Sequence, residues 1–165
     1  MEKKGDFSIS FGMIFSIILI IIFIIFAFWA IQKFLGIQNS AEAGKFVGDL
    51  QADIDKIWKG SEGSQQQEYF IPSKVKYVCF ADYISDARGK NLNFFKDLNP
   101  AFNGEENLFF FPIGSANGLD SVTLKHIDLG NTTAVDNPLC FDNIKGKVHL
   151  TIKKSFGEAL VRIVR

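Results

Sequence analysis

Residues 7–32 contain no ionisable side chain, and their centre reads Ile17-Ile18-Leu19-Ile20-Ile21-Ile22-Phe23-Ile24-Ile25-Phe26. As a helix rising about 1.5 Å per residue, the stretch is about 39 Å long, enough to cross a hydrocarbon core of about 30 Å with some tilt. A helix is the form such a segment takes in lipid, where no solvent satisfies the backbone. One rival is the buried helix of a soluble core, but a chain of 165 residues has too little material to surround a segment that is apolar on every side. The other is a cleaved secretory signal, whose apolar run of about 7–15 residues ends at small residues. Here the run is longer and leads into Phe28-Trp29-Ala30-Ile31-Gln32-Lys33-Phe34. Trp29 and Lys33 suit the headgroup level, one as an amphipathic ring and the other as a snorkelling ammonium. The sequence therefore predicts a single-pass transmembrane helix that is retained.

Charge sets an expected orientation. Lys3 and Lys4 precede the apolar run, whereas Lys33 and Lys45 are the first basic residues after it. Counted over Lys and Arg, this favours a cytoplasmic N-terminus and a C-terminal part outside. Residues 37–165 hold 15 basic and 16 acidic side chains, a net charge of −1. That balance offers no positive field to gather nucleic acid, and none is expected as a partner.

Beyond Gly36 the apolar residues become periodic. Ala43, Phe46, Val47, Leu50, Ile54, Ile57 and Trp58 recur at three- and four-residue steps, with Lys45, Asp49, Asp53, Asp55 and Lys56 elsewhere. This is a helix with one stripe to bury. Asn39 followed by Glu42 makes a capping-box pattern, so the second helix either starts there after a break or continues the first. Residues 60–67, with no apolar side chain, are expected to form a flexible loop.

The remainder predicts mostly strands: residues 69–71 before Pro72, 74–83, 108–113, 121–129, and 147–153 with Val148, Leu150 and Ile152 on one face. A turn at 155–158 leading to 160–164 predicts a C-terminal hairpin, and residues 91–98 one or two helical turns. A half-buried antiparallel sheet needs a cover, and the stripe of residues 40–58 is the natural one. The expected fold class is α+β, a long N-terminal transmembrane helix continuing into an amphipathic helix packed on an antiparallel β-sheet head. Its parts are residues 1–5 as a leader, 6–35 as the membrane helix, 36–59 as the amphipathic helix and 60–165 as the head.

Cys79 and Cys140 lie in apolar, strand-like contexts in the part placed outside, where one disulfide would persist; the alternative is two buried thiols. Closing a loop of about 60 residues stabilises by about 4 kcal/mol in the chain-entropy picture. Asn131-Thr132-Thr133 has the pattern of a glycosylation acceptor, a weak signal. His126 and His149 have no Cys or His neighbour at ligand spacing, and no phosphate-cradling glycine loop is present, so neither a metal, a cofactor nor an enzymatic activity is expected. Asp136-Asn137 and Asp142-Asn143 flank Cys140 with oxygen atoms that calcium favours, but turn chemistry accounts for both. Lys145, Lys147, Lys153, Lys154, Arg162 and Arg165 face only Glu158 within residues 145–165, which reads as the solvated surface of an edge hairpin. Phe109-Phe110-Phe111 cannot share one face of a strand, so their sheet is covered on both sides or meets another subunit.

The N-terminus carries the most specific motif. Met1-Glu2-Lys3-Lys4-Gly5 is a short charged leader ending in Lys-Lys-Gly, and the apolar run begins directly after Asp6. This resembles the class III signal of type IV pilins and related pilin-like proteins, particularly the archaeal ones. The resemblance implies that a prepilin peptidase cuts between Gly5 and Asp6 on the cytoplasmic side, so that Lys4, Gly5 and Asp6 are the processing residues and the helix stays on the mature protein. Glycine, lacking a Cβ, lets a protease approach the backbone, and the lysines hold the leader inside. It further implies a surface or filament role in assembly with copies of itself or other pilin-like subunits through the face of residues 7–31. The sequence departs from the family at Ser10, where many pilins place a glutamate, and at Asp6, where a glutamine or aromatic is usual. Those departures favour an accessory subunit, or an uncleaved anchored ectodomain that binds a partner.

Overall fold

The computed structural model describes residues 10–165. Contacts divide the chain into two compact units that meet between Gly36 and Ile37. The first helix, α1 (Phe11–Trp58), runs unbroken through this point. Asn39 is therefore no cap, and Glu42 accepts a hydrogen bond from Gln38 Nε2 at 2.9 Å, an i,i+4 pair along a continuous helix. The capping-box reading fails because nothing interrupts the backbone bonds that a cap would have to replace.

In residues 11–36 of α1 no side chain is buried. In residues 37–58 the stripe Ala43, Phe46, Leu50, Ile54 and Ile57 is buried, as its spacing predicts. The helix ends at a lysine brought from far along the chain. Lys154 Nζ donates to Trp58 O at 2.7 Å and to Gly60 O at 2.8 Å. It thereby satisfies carbonyls that the last turn leaves open, with a cation at the negative end of the helix.

Residues 37–165 contain two antiparallel sheets, where the sequence suggested one. The first is ordered β1 (Gly63–Phe70), β6 (Lys147–Lys154), β7 (Arg162–Val164). The second is ordered β4 (Ser121–Val122), β3 (Leu108–Phe111), β2 (Tyr77–Phe80), β5 (Leu139–Asp142). The expected C-terminal hairpin is present as β6 and β7, with Ile152 opposite Ile163. Strand β1 overturns the flexible-loop expectation for residues 60–67. Its Gly-Ser-Gln-Gln-Gln-Glu run pairs with β6 residue for residue, from Gly63 opposite Lys154 to Phe70 opposite Lys147. A strand with a solvated face needs no apolar residues when its neighbour supplies the ladder.

The predicted strand over 121–129 is also mostly lost. Only Ser121 and Val122 pair in a sheet. His126 has φ of +64°, a left-handed conformation that a strand cannot contain. A short helical turn, α3 (Leu129–Thr132), follows, with Asp128 accepting from Asn131 N. The helical turns expected near 91–98 are α2 (Leu92–Leu98), which runs into a tighter turn at Asn99–Ala101.

One main core joins both sheets to the α1 stripe. It includes Phe46 and Leu50 from the helix, Val148, Leu150, Ile152 and Ile163 from the first sheet, and Val78, Phe80, Phe110 and Phe141 from the second. The opposite face of the second sheet has its own smaller core of Cys79, Ala81, Leu98, Ala101, Phe109 and Cys140, with Tyr83, Phe94 and Phe102 packed against it. Phe109 and Phe110 are thus both fully buried, on opposite sides of β3, and the first of the two readings of that triplet holds.

Candidate functional site: a membrane anchor and a stapled head

The N-terminal part of α1 is the one helix among the described residues that is long and apolar enough to cross a membrane. Its side chains are open all round. Phe23, Phe28 and Phe34 are 64%, 67% and 68% exposed. Large apolar groups left this bare in a protein cost water-ordering free energy of about 25 cal/mol per Å2, so the segment needs lipid or other helices around it. Trp29 packs near Phe26, with ring centroids 6.0 Å apart, and Lys33 follows one turn later. Lys4, Gly5 and Asp6 lie outside the described residues.

Cys79 and Cys140 are joined in a disulfide, at directly opposed positions of β2 and β5. They are 61 residues apart in sequence. Both sulfurs belong to the smaller core, which is thus stapled at its centre.

Asp136, Asn137 and Asn143 each bind backbone groups of neighbouring loops. The Asn137 side chain is buried and ties one loop together: its Nδ2 donates to Asp82 O at 2.8 Å and to Asp86 O at 3.1 Å, while its Oδ1 accepts from Asp82 N at 2.9 Å. Asp136 Oδ1 accepts from Lys90 N. Gly89, at φ +78°, is required beside it, because a Cβ there would lie 2.1 Å from that same oxygen. Asn143 Nδ2 donates to Val75 O and Pro72 O, and its Oδ1 accepts from Gly146 N. No group of three or more His, Cys, Asp or Glu able to hold a metal occurs among the described residues.

The two histidines differ in surroundings. His126 Nδ1 lies 2.9 Å from Asp55 Oδ1, and its ring stacks on Trp58 with centroids 3.6 Å apart. This hydrogen bond holds the Asp55 carboxyl below the usual carboxylate range, with help from Gln51 and against some desolvation. Gln51 also reaches the same loop, accepting from Lys125 N at 2.8 Å. His149 sits opposite Glu68 on the exposed face of the first sheet, 3.4 Å away. The basic C-terminal residues are largely matched: Lys147 pairs with Glu68 at 2.6 Å, Arg162 lies 3.8 Å from Glu158, and Arg165 lies 3.8 Å from Asp136. Lys154 is buried as the helix cap. Sequence reading missed these partners because Glu68, Asp136 and the end of α1 are remote along the chain.

Asn131 is exposed, and its Nδ2 donates to Asp128 Oδ2 at 2.7 Å. Thr133, the hydroxyl residue of that triplet, is buried and donates to Leu129 O. One open depression of about 420 Å3 on the head is bordered by Lys76, Tyr77, Asp142 and Lys145.

No protein-family model, no curated protein and no solved structure matches this chain.

Proposed function

We propose that this chain is a pilin-like, membrane-anchored surface subunit whose work is structural: assembly, adhesion or display, without turnover. The observation that carries the reading is the apolar run of α1, bare on every side, followed by an antiparallel α+β head. A helix of this kind is stable in lipid, and equally so against other apolar helices. The Lys3-Lys4-Gly5 leader ahead of the helix supports processing by a prepilin peptidase at Gly5–Asp6. The basic leader supports a cytoplasmic N-terminus, with the head outside. The Cys79–Cys140 disulfide fits that location, since such bonds persist in oxidising compartments. The subunit then sits in the cell membrane and enters a surface filament with copies of itself or related subunits.

Intact mass of the protein from its native membrane tests this directly. Loss of residues 1–5 is the expected result, and Gly5→Val should restore the full length. A full-length chain from the unsubstituted protein would sink the pilin-like reading. It would leave the second one, an uncleaved anchored ectodomain that binds a partner, which Ser10 and Asp6 favour.

A further inference from the structure

Two sheets have four outer strands, and three of those edges are blunted. Strand β4 has two residues and β7 three. The edge of β5 is occupied in part by Arg165, whose Nη2 donates to Cys140 O at 3.2 Å. Strand β1 differs on every count. It is eight residues long, its pairing with β6 is unbroken, and it contains no Lys, Arg or Pro. Natural edge strands are usually short, charged with lysine, bulged or covered, because an open edge is a template for another chain.

The ladder shows which groups are open. Ile71 N donates to Gly146 O, so Ile71 faces β6. Antiparallel residues alternate in the side to which their backbone points. Tyr69, Gln67 and Gln65 therefore also face β6, while Phe70, Glu68, Gln66 and Ser64 turn their N–H and C=O groups outward. All four are exposed, and none of these outward groups has a hydrogen-bond partner among the described residues.

We propose that β1 docks on β1 of a second copy of this chain, antiparallel, about a two-fold axis at Gln67. In that register the outward residues meet as hydrogen-bonded pairs, Ser64 with Phe70 and Gln66 with Glu68, and the three-stranded sheet becomes six-stranded. The sequence suits its own reverse. Each Glu68 faces an uncharged Gln66 rather than a second carboxylate, and Glu68 is already neutralised by Lys147. Gln67 meets Gln67, whose amides are mutual donors and acceptors. A two-fold contact of this kind is the commonest form of self-association. Confinement to one membrane raises the effective concentration of the two edges. The pairing is independent of whether the leader is cut, so intact mass tests one claim and cross-linking the other.

The test is a single added cysteine in the full-length chain, in native membranes under mild oxidation. Both native cysteines are already in the disulfide. Two residues 67 on the axis form a non-hydrogen-bonded pair with Cα atoms about 4.5 Å apart, within disulfide reach. Two residues 64 would be about 20 Å apart, beyond it. Gln67→Cys is expected to give a covalent dimer on a non-reducing gel and Ser64→Cys a monomer. Gln66→Pro, which removes only an outward N–H, should return Gln67→Cys to monomer. A monomeric Gln67→Cys, equal cross-linking at Ser64→Cys, or insensitivity to Gln66→Pro would each overturn the pairing. Light scattering of the chain without added cysteine, in detergent micelles, gives an independent reading: Gln66→Pro should lower its mass, and an unchanged mass also overturns it.

Discussion

The two stretches of α1 on either side of Gly36 are both rich in apolar residues, yet they meet different surroundings. Residues 11–36 leave nothing buried, and residues 37–58 bury one narrow stripe. The difference lies in pattern rather than amount. Residues 11–32 are mostly isoleucine and phenylalanine and carry no ionisable side chain, so no broad polar side is left to turn toward water, the pattern of a helix suited to lipid. Apolar residues at three- and four-residue steps leave room for Asp49, Asp53 and Lys56 on the wet side, and a sheet can cover the rest. A stripe buried within the protein and an all-round apolar surface left open are thus distinguishable along one helix.

Single substitutions separate the two stretches further. Phe46 is 1% exposed and touches Tyr69 and Phe110 edge-on. Phe46→Ala should destabilise the head by about 3–5 kcal/mol, read as a lower melting temperature, while the protein stays in the membrane pellet. Ile22→Arg should do the reverse. A cation at mid-bilayer costs about 2.5–3.5 kcal/mol, so membrane insertion falls while the head's melting temperature holds. If Ile22→Arg instead lowered that temperature and left insertion intact, the distinction would be wrong. Lys154→Met is expected to cost about 1–3 kcal/mol in the head, because Trp58 O and Gly60 O lose their donor.

The smallest effect is that of alkaline pH. Burial pushes the Tyr83 hydroxyl up to about 12, from an ordinary 10. Tyr69, buried and donating to Asp53 at 2.7 Å, is raised as well. A raised folded value means the contribution is complete below about pH 10 and fades as pH rises toward 12. Thermal melts between pH 9 and 12 should therefore show the head weakening, and Tyr83→Phe should lessen the slope. The anchor titrates nothing over residues 11–32, so sedimentation with membranes should not change over that range.

The elements that were legible in the sequence are those whose signal is local. The uniform apolar run, the periodic stripe, the alternation of Val148, Leu150 and Ile152, and the opposed phenylalanines of β3 each follow from the repeat of a single helix or strand. The bond between Cys79 and Cys140 is one of two readings their apolar contexts leave open, and β5, the strand that holds Cys140, is not among those the sequence predicts. Of strand β1 only the end, Tyr69 and Phe70, was legible, because its three consecutive glutamines owe their extended form to pairing with β6, remote along the chain. The break at His126 was hidden for a similar reason. Its left-handed backbone is held by Asp55 and Trp58 from α1, and nothing near residue 126 in the sequence announces them. The roles of Lys154 and Arg165 likewise depend on carbonyls supplied by other elements. Charge clusters in a sequence therefore overstate the free charge on the folded surface.

The staple between β2 and β5 carries one more implication, for how the head responds to proteolysis. A cut anywhere from residue 80 to residue 139 leaves one fragment holding Cys79 and the other holding Cys140. The pieces stay tied until the bond is reduced, so clipping of the α2 loop or of the 113–118 turn would not shed the head from its anchor.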